Sequence, residues 1–177
     1  MQINLADSKL DIKVQINGKR LSMFSQTNEY ALRVITFLAA APDTSRTNAS
    51  LAEATQVPAG YLYKILNTLE KAGLVRSQRG KHGGYSLNRP AEQITVLDVV
   101  QAIDPLPRIH SCPLSLKSHG VRLCPLHRRL DQAFAMIEKT FRDTPISELL
   151  ADGSGSIPLC EEKGRGDERR AFLTVSR

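Results

Sequence analysis

The chain has 177 residues, of which 41% are hydrophobic, and it carries a formal net charge of +6 with a pI near 9.4. This length suits one globular domain with an appended helix, and the positive charge favours a polyanionic partner. No run of about eighteen apolar residues is present, and the N-terminus lacks the continuous apolar core of a signal peptide. We therefore expect a cytoplasmic protein with no membrane partner.

The N-terminal extension, residues 1–22, alternates apolar and polar side chains in the manner of a β-strand. The alternating apolar residues are Leu10, Ile12, Val14 and Ile16, and the turn pair Asn17-Gly18 follows them. Three interpretations are open: an added strand, an unstructured tail, and an artefact of start-codon choice. The next apolar stripe has helical spacing and predicts a helix that ends before Pro42: Ala31, Val34, Ile35 and Leu38.

Residues 50–73 have the pattern of a helix-turn-helix. Ser50 and Glu53 show the S-x-x-E spacing of a capping box, which predicts a helix start at Ser50. A tight turn then leads to Pro58, which suits the first position of the second helix, and Gly73 predicts the end of that helix. The second helix has an apolar stripe and leaves its polar faces free to reach a major groove; the stripe is Leu62, Ile65, Leu66 and Leu69.

A basic hairpin follows. Residues 71–91 contain five basic side chains and no acid, and glycines at positions 80, 83 and 84 mark the predicted tip. Glycine lets a backbone approach a phosphate or a groove floor closely. An ordinary solvated hairpin is the alternative, but the neighbouring helix-turn-helix favours a DNA-binding wing. The expected DNA-binding residues are Ser50, Tyr61, Tyr63, Lys64, Asn67, Arg76, Arg79, Gly80, Lys81, His82, Gly83 and Tyr85.

Beyond the hairpin, the sequence predicts a short helix, a loop and a long helix. Thr95 and Asp98 form a second capping-box pattern, and this helix ends at Pro105. Residues 105–130 contain five basic residues, no acid and several side chains that can bind metals: His110, Cys112, His119, Cys124 and His127. The following apolar stripe predicts a helix that dimerises with a second copy, with packing against the chain's own core as the alternative: Leu126, Leu130, Phe134, Ile137 and Phe141.

Four segments resemble the Rrf2 family of bacterial winged-helix regulators, which includes iron-sulfur and nitric oxide sensors of the IscR and NsrR types. They are Y-A-L-R at residues 30–33, Y-L-Y-K-I-L at 61–66, A-G-L-V at 72–75 and R-G-K-H-G-G-Y at 79–85. The resemblance covers residues 23–151, and the wing motif is its specific part. It implies a regulator that binds operator DNA.

The resemblance also implies a ligand set for a metal cluster. Cluster-binding relatives carry three cysteines in the loop, whereas here Ser118 stands midway between Cys112 and Cys124. His127 matches a ligand position of IscR-like members, and Glu29 matches a carboxylate that the other subunit contributes in some relatives. The implied ligands of an iron-sulfur cluster, with the two-iron two-sulfur type favoured, are Cys112, Cys124, His127 and Glu29. There are two alternatives: a loop that binds no metal, and a loop that binds zinc.

These features predict a mainly α protein with a small β-hairpin wing, in which a winged helix-turn-helix domain is joined to a long dimerisation helix. The expected division is an N-terminal extension (1–22), the DNA-binding domain (23–104), a cysteine-containing sensor loop (105–125), the dimerisation helix with a short terminal helix (126–151) and a disordered tail (152–177).

The expected function is that of a homodimeric regulator, not an enzyme, that binds double-stranded DNA and senses redox, nitric oxide or iron-sulfur status. A cofactor-free regulator of the same family is the first alternative. A small metal- or redox-handling protein is another, although the sequence lacks a close C-x-x-C pair. An RNA-binding winged helix is the last, although no aromatic pattern predicts base stacking on a sheet face.

Overall fold

The computed structural model describes residues 13–16, 19–22, 24–80, 83–111 and 123–151. In the N-terminal extension, strands β1 (Lys13–Ile16) and β2 (Lys19–Ser22) pair antiparallel, with Ile16 opposite Lys19. The strand that the alternation predicts is therefore present over Lys13–Ile16, as one half of a hairpin.

The other described elements are six helices and a second two-stranded hairpin. In chain order they are α1 (Gln26–Ala39), α2 (Asn48–Thr55), α3 (Ala59–Lys71), β3 (Val75–Gln78), β4 (Gly84–Leu87), a 3₁₀ turn (Ala91–Gln93), α4 (Val96–Ile103), α5 (Pro125–Asp143) and α6 (Ile146–Ala151). The predicted fold class, mainly α with a small hairpin, is confirmed. Within the described ranges, no helix combines the length and apolar character needed to cross a membrane.

Helix α1 lies at the centre of the core and contacts α2, α3, α4 and α6. Its predicted apolar stripe is fully buried: Ala31, Val34, Ile35 and Leu38. The Ser25 hydroxyl caps the helix by accepting a hydrogen bond from the Asn28 amide at 3.2 Å. Asn28 is itself buried, and its side-chain amide donates to the Asp104 carbonyl at 2.8 Å, just after α4. Helix α1 therefore connects most of the elements of the domain.

The helix-turn-helix begins three residues earlier than the sequence predicts. Thr47, not Ser50, is the N-cap of α2, because its hydroxyl accepts a hydrogen bond from the Ser50 amide at 3.2 Å. The extended chain ends at Arg46, which pairs with the wing, so the helix starts at the first capping residue that follows. Pro58 likewise caps α3 instead of forming its first residue, and its carbonyl accepts from two amides of the first turn.

The second helix of this unit, α3, matches its prediction closely. Its apolar stripe is buried, with Leu62, Ile65, Leu66 and Leu69 each at most 2% exposed. Gly73 has a φ of 70°, and its amide donates to the Glu70 carbonyl at 2.9 Å. The Leu74 amide donates to the Leu69 carbonyl at 3.0 Å, which completes the Schellman closure of the helix. This closure directs the chain into β3.

The wing consists of β3, β4 and the segment that joins them. The strands pair antiparallel, with Gln78 opposite Gly84. Arg46 extends this small sheet, since its amide and carbonyl bond to the Tyr85 backbone at 2.9 and 2.8 Å. A Cβ at position 84 would lie 2.5 Å from the Arg46 carbonyl oxygen, and Gly84 has a φ of 157°. Only glycine permits this close approach, which fixes the base of the wing to the segment that precedes α2.

The predicted capping box of α4 is present. The Thr95 amide donates to the Asp98 carboxylate at 3.0 Å, and the Asp98 amide donates to the Thr95 hydroxyl at 3.1 Å.

Helix α5 starts with Pro125 in its first turn, as its sequence predicts. The short helix α6 is attached through Ile146, which is buried and whose amide donates to the Ile94 carbonyl at 2.8 Å.

The apolar stripe of α5 is divided between two environments. Ile137 and Phe141 pack against the core of the same chain, and the Phe141 ring meets Phe24 edge-on with centroids 6.1 Å apart. Leu126 and Leu130 are instead 64% and 43% exposed. The expected packing of this stripe against a second copy stays a prediction, while its C-terminal half contacts the core of the same chain where α5 crosses α4. The N-terminal half is left uncovered within the described chain.

Candidate DNA-binding face and cysteine site

Helix α3 presents polar side chains opposite its buried stripe. Tyr63 is 61% exposed, and Lys64 and Asn67 are exposed as well. Gly60 lies one turn before them, and nothing is within 4 Å of the position where its Cβ would stand. Residues three, four and seven apart share a helix face, so Gly60, Tyr63, Lys64 and Asn67 form one continuous surface, here called the α3 polar face. An α-helix of this kind fits the major groove of DNA.

Two of the expected DNA-binding residues have structural contacts as well. The Tyr61 hydroxyl is 2.6 Å from the Thr27 hydroxyl, and the Tyr61 ring meets Tyr30 edge-on at a centroid distance of 6.1 Å. Tyr61 therefore links α3 to α1 and is only partly available to a ligand. Ser50 lies in the first turn of α2, half-buried, with its amide bonded to Thr47.

The wing turns one of its faces toward α3. The Ser77 amide and hydroxyl donate to the Glu70 carboxylate at 3.2 and 2.5 Å, which joins β3 to α3. Tyr85 pairs with Ser77 across the hairpin. The pKa of Tyr85 is raised above its usual value, mainly by partial burial and to a smaller extent by the nearby Glu70 and Tyr63. Ser77 and Tyr85 thus lie beside the α3 polar face, and wing and helix form one surface.

Arg76 lies on the other face of the wing. It pairs with Ser86, and its Nε donates to the Ser86 hydroxyl at 3.0 Å. Successive strand residues point to opposite faces, so Arg76 cannot share the face of Ser77. Arg76 instead lines a cleft with Arg89. Arg76 is thus an expected DNA-binding residue that lies on the face of the wing away from the α3 polar face.

The tip of the wing is built around glycine. The Gly83 amide donates to the Gly80 carbonyl at 2.9 Å, and Gly80 has a φ of 113°. A Cβ at position 83 would be 2.5 Å from the Gln78 carbonyl oxygen. Arg79 is exposed beside this turn. The other two expected tip residues, Lys81 and His82, lie outside the described residues.

The cysteine site is partly described. Cys124 is the N-cap residue of α5, and its Sγ is 3.3 Å from Nδ1 of His127, one helical turn later. A thiolate and an imidazole are both ligands of iron-sulfur clusters, so this pair fits one part of such a site. Cys112 and Ser118 lie outside the described residues. In the part of the chain that the structure describes, no group of three or more candidate metal ligands comes together.

Comparison with known proteins identifies the family. The Rrf2 family model, described as iron-dependent transcriptional regulator, matches residues 24–152. The chain belongs to the Rrf2 family. Its fold is the winged helix of transcriptional regulators, as the sequence predicts. The match covers every element from α1 to α6, and the N-terminal hairpin lies outside it.

Solved structures of Rrf2 regulators have the same fold. The global cysteine regulator CymR (YrzC) of B. subtilis is 21% identical, with a TM-score of 0.61 over 72% of this chain and 95% of that one. IscR of T. potens is 24% identical, with a TM-score of 0.60 over 72% of this chain and 85% of that one. CymR of Staphylococcus aureus is 27% identical, with a TM-score of 0.57 over 71% of this chain and 95% of that one.

The family resemblance implies that Glu29 of one subunit binds the cluster of the other subunit. Glu29 lies on α1 and forms an ion pair with Arg33. Arg33 also donates to the Thr55 carbonyl at 3.3 Å, at the end of α2, and its guanidinium lies 5.6 Å from the centroid of the Tyr30 ring. Glu29 is therefore two contacts away from the turn of the helix-turn-helix. In the single chain, the structure does not bring Glu29 together with Cys124 and His127 into one ligand group.

An ion-pair network that the sequence analysis missed ties the start of the cysteine loop to α5. Arg108 donates to both carboxylate oxygens of Asp131, at 2.8 and 2.9 Å, and to Glu138 at 2.9 Å. The Ile109 amide donates to Asp131 at 2.9 Å. The pKa of Asp131 lies well below its usual range. The main cause is the hydrogen bonding with Arg108, and the hydrogen bond from the Ile109 amide is the second. The spacing of Asp131 and Glu138, seven residues apart on one helix face, was the available signal.

Proposed function

We propose that this Rrf2 protein acts as a homodimer that recognises double-stranded operator DNA through the α3 polar face and the wing. The observation that carries the proposal is the surface formed by Tyr63, Lys64 and Asn67 beside a glycine-tipped basic hairpin that is bonded to the same helix through Glu70. Polar side chains on such a helix read base edges in the major groove, while arginine and lysine of a wing contact phosphates or the minor groove.

Selection of bound sequences from a pool of random DNA duplexes tests whether the protein recognises a specific operator. We expect one enriched sequence with two-fold symmetry, and we expect Asn67→Ala to change the preferred bases more than the total affinity. Thr140→Ala, an exposed substitution on α5, is the control. Equal affinity for duplex DNA and single-stranded RNA would instead support the RNA-binding alternative.

The proposed dimer surface is the N-terminal half of α5. Leu126 and Leu130 are exposed there, and their spacing of four residues places them on one face of the helix. Apolar side chains in such a row are expected to pack against the same row of a second copy. Binding to a two-fold operator would require the two α3 helices of such a dimer to lie about 34–36 Å apart, the separation of two successive major grooves.

Sedimentation velocity tests this surface. We expect a dimer at micromolar concentration, and Leu130→Glu should produce a monomer because it places two like charges in an apolar contact. Gln132→Glu introduces the same charge on an exposed position of the same helix and should leave the dimer intact. A monomeric wild-type protein, or a dimeric Leu130→Glu variant, contradicts the proposed surface.

The sensing part of the proposal rests on Cys124 and His127. With Cys112 and with Glu29 of a second copy they would hold an iron-sulfur cluster, which supplies a centre sensitive to oxidants and nitric oxide when bound. Binding through Cys124 and His127 would order the first turn of α5. Recruitment of Glu29 would compete with its ion pair to Arg33, and Arg33 also holds the end of α2. The ligands would thus affect both the dimer helix and the helix-turn-helix.

Anaerobic purification followed by iron and sulfide analysis tests this cluster. We expect stoichiometric iron and sulfide in the wild type and strong losses in Cys112→Ala, Cys124→Ala, His127→Ala and Glu29→Ala, with Cys160→Ala as the matched control. Absence of iron and sulfide from the anaerobic wild type would leave a cofactor-free regulator. That second candidate is favoured by Ser118, which stands where cluster-binding relatives have a third cysteine.

A further inference from the structure

A cleft of about 690 Å³ lies between the wing, the C-terminal end of α1 and α6. Its lining includes five apolar residues from these three elements and the connection that follows the wing: Ala39, Pro42, Leu87, Pro90 and Leu150. Arg76, Arg89 and Glu92 supply its charged groups. The cleft lies on the face of the wing that carries Arg76, opposite the face that meets α3. It is therefore separate from the proposed DNA-binding surface.

The two arginines of this cleft are incompletely neutralised. Within the described residues, the Arg76 side chain has one hydrogen bond, to the neutral Ser86 hydroxyl, and no acidic partner. Arg89 has Asp98 at 3.9 Å, near the limit of an ion pair, and both of these side chains are about 40% exposed. Glu92 is the one acid in the lining, against two guanidinium groups. The cleft thus suits an occupant with apolar side chains and at least one carboxylate.

We propose that the C-terminal segment of this same chain, residues 157–162, docks in this cleft. Ala151, where the described chain ends, is itself part of the lining, so the chain leaves α6 at the rim. The next five residues read D-G-S-G-S, a composition that allows sharp turns, and they span up to about 17 Å when extended. The segment then reads I-P-L-C-E-E. Its order, apolar residues followed by two acids, matches the apolar lining and the two arginines.

Attachment to α6 favours this occupant over a separate acidic ligand. A short tether holds the segment at an effective concentration of about millimolar or more, whereas a free ligand must give up its translational freedom to bind. Ile157 and Leu159 would contact the apolar lining, and Glu161 and Glu162 would pair with Arg76 and Arg89. The docked segment would bridge α6 and the wing.

Disulfide trapping in the full-length chain tests the docking, because Cys160 lies within the proposed segment. Ser147 lines the cleft, and Glu53 is exposed on α2 and is not part of the lining. Ser147→Cys and Glu53→Cys proteins are oxidised mildly, and peptide mapping by mass spectrometry measures the disulfide between each introduced thiol and Cys160. Mixing isotope-labelled and unlabelled protein separates links within a chain from links between chains.

We expect the intrachain link from position 147 to form at least about tenfold faster than that from position 53. Because the tether alone already brings Cys160 closer to position 147, the comparison that identifies docking is the effect of the two acidic residues on the rate at position 147. Adding Glu161→Gln and Glu162→Gln to the Ser147→Cys protein should lower its rate several-fold. Equal rates at positions 147 and 53 would overturn the proposal, as would a rate that the two glutamine substitutions leave unchanged. A link found only between chains would assign the cleft to a second copy and would also overturn it. None of these outcomes depends on DNA binding.

Discussion

The hydroxyl groups of Thr27 and Tyr61 lie 2.6 Å apart. Thr27 belongs to the central helix α1 and Tyr61 to the first turn of α3, so this contact joins the two helices directly. Glu29, which is proposed to bind the cluster of the other subunit, follows Thr27 by two residues. A change in the position of α1 can therefore reach the α3 polar face through one hydrogen bond and the adjacent Tyr30–Tyr61 ring contact.

This coupling can be measured with a double-mutant cycle. We expect Thr27→Val and Tyr61→Phe each to lower the free energy of unfolding, with a coupling energy of about 0.5–1.5 kcal/mol, the usual net value of such a hydrogen bond. Urea denaturation of the wild type, both single variants and the double variant gives the value. Strictly additive effects would show that the two hydroxyl groups do not interact in solution.

The wing tip should contribute electrostatically to DNA binding. Arg79 is exposed beside the glycine turn, so Arg79→Ala should weaken binding to all duplex sequences and reduce the slope of log affinity against log salt by about 2, one for each wing of the dimer. Lys139→Ala removes an equal charge from α5, where the side chain is 74% exposed, and should leave the slope nearly unchanged. Equal slopes for wild type and Arg79→Ala would rule out a phosphate or groove contact by this residue.

Features of this protein that depend on neighbouring residues were predictable from the sequence. The buried stripe of α3 and the capping box of Thr95 and Asp98 follow from spacings of three and four residues, which a helix imposes on any chain. The choice between Thr47 and Ser50 as N-cap was different. Both can cap a helix, and the pairing of Arg46 with Tyr85, 39 positions away in the sequence, determines which one does.

Features that depend on the arrangement of distant elements were not predictable. Arg76 was grouped with the DNA-binding residues by its charge, but the hairpin register places it with Ser86 on the opposite face. The division of the α5 stripe depends on where α5 crosses the core, and helical periodicity carries no information on that point. The Arg108 network likewise joins residues 23 and 30 positions apart. The assignment of individual side chains to DNA, metal or dimer contacts stays a prediction.

Two glycines should respond in opposite ways to alanine. Gly84→Ala places a Cβ 2.5 Å from the Arg46 carbonyl oxygen at a φ of 157°, so we expect it to lower the free energy of unfolding by about 1–3 kcal/mol. Gly60→Ala meets nothing within 4 Å and should raise that free energy by up to about 1 kcal/mol, since alanine favours a helix. Denaturant titration of both variants measures this. A Gly84→Ala protein as stable as the wild type would contradict the close approach of the wing to Arg46.

The Asp131 network should make stability depend on acid pH. The pKa of Asp131 is lowered in the folded chain, so its stabilising contribution is complete above the usual aspartate value of about 3.9 and is lost as the pH falls below it. The stability difference between the wild type and Asp131→Asn should therefore be constant from about pH 5 to 7 and should shrink below about pH 4. Asp143→Asn, an exposed change on the same helix, is the control. A difference that is independent of pH down to about pH 2 would contradict the network.

Hydroxyl-radical footprinting of the protein on its selected operator tests the central claim most directly, namely that a two-fold dimer reads DNA through two α3 helices. The account predicts two symmetric protected regions whose centres are about 10–10.5 base pairs, or one helical turn, apart. Asn67→Ala should change the sequence preference of both regions together. A single protected region, or protection that is the same on unrelated sequences and unaffected by Asn67→Ala, would contradict the account.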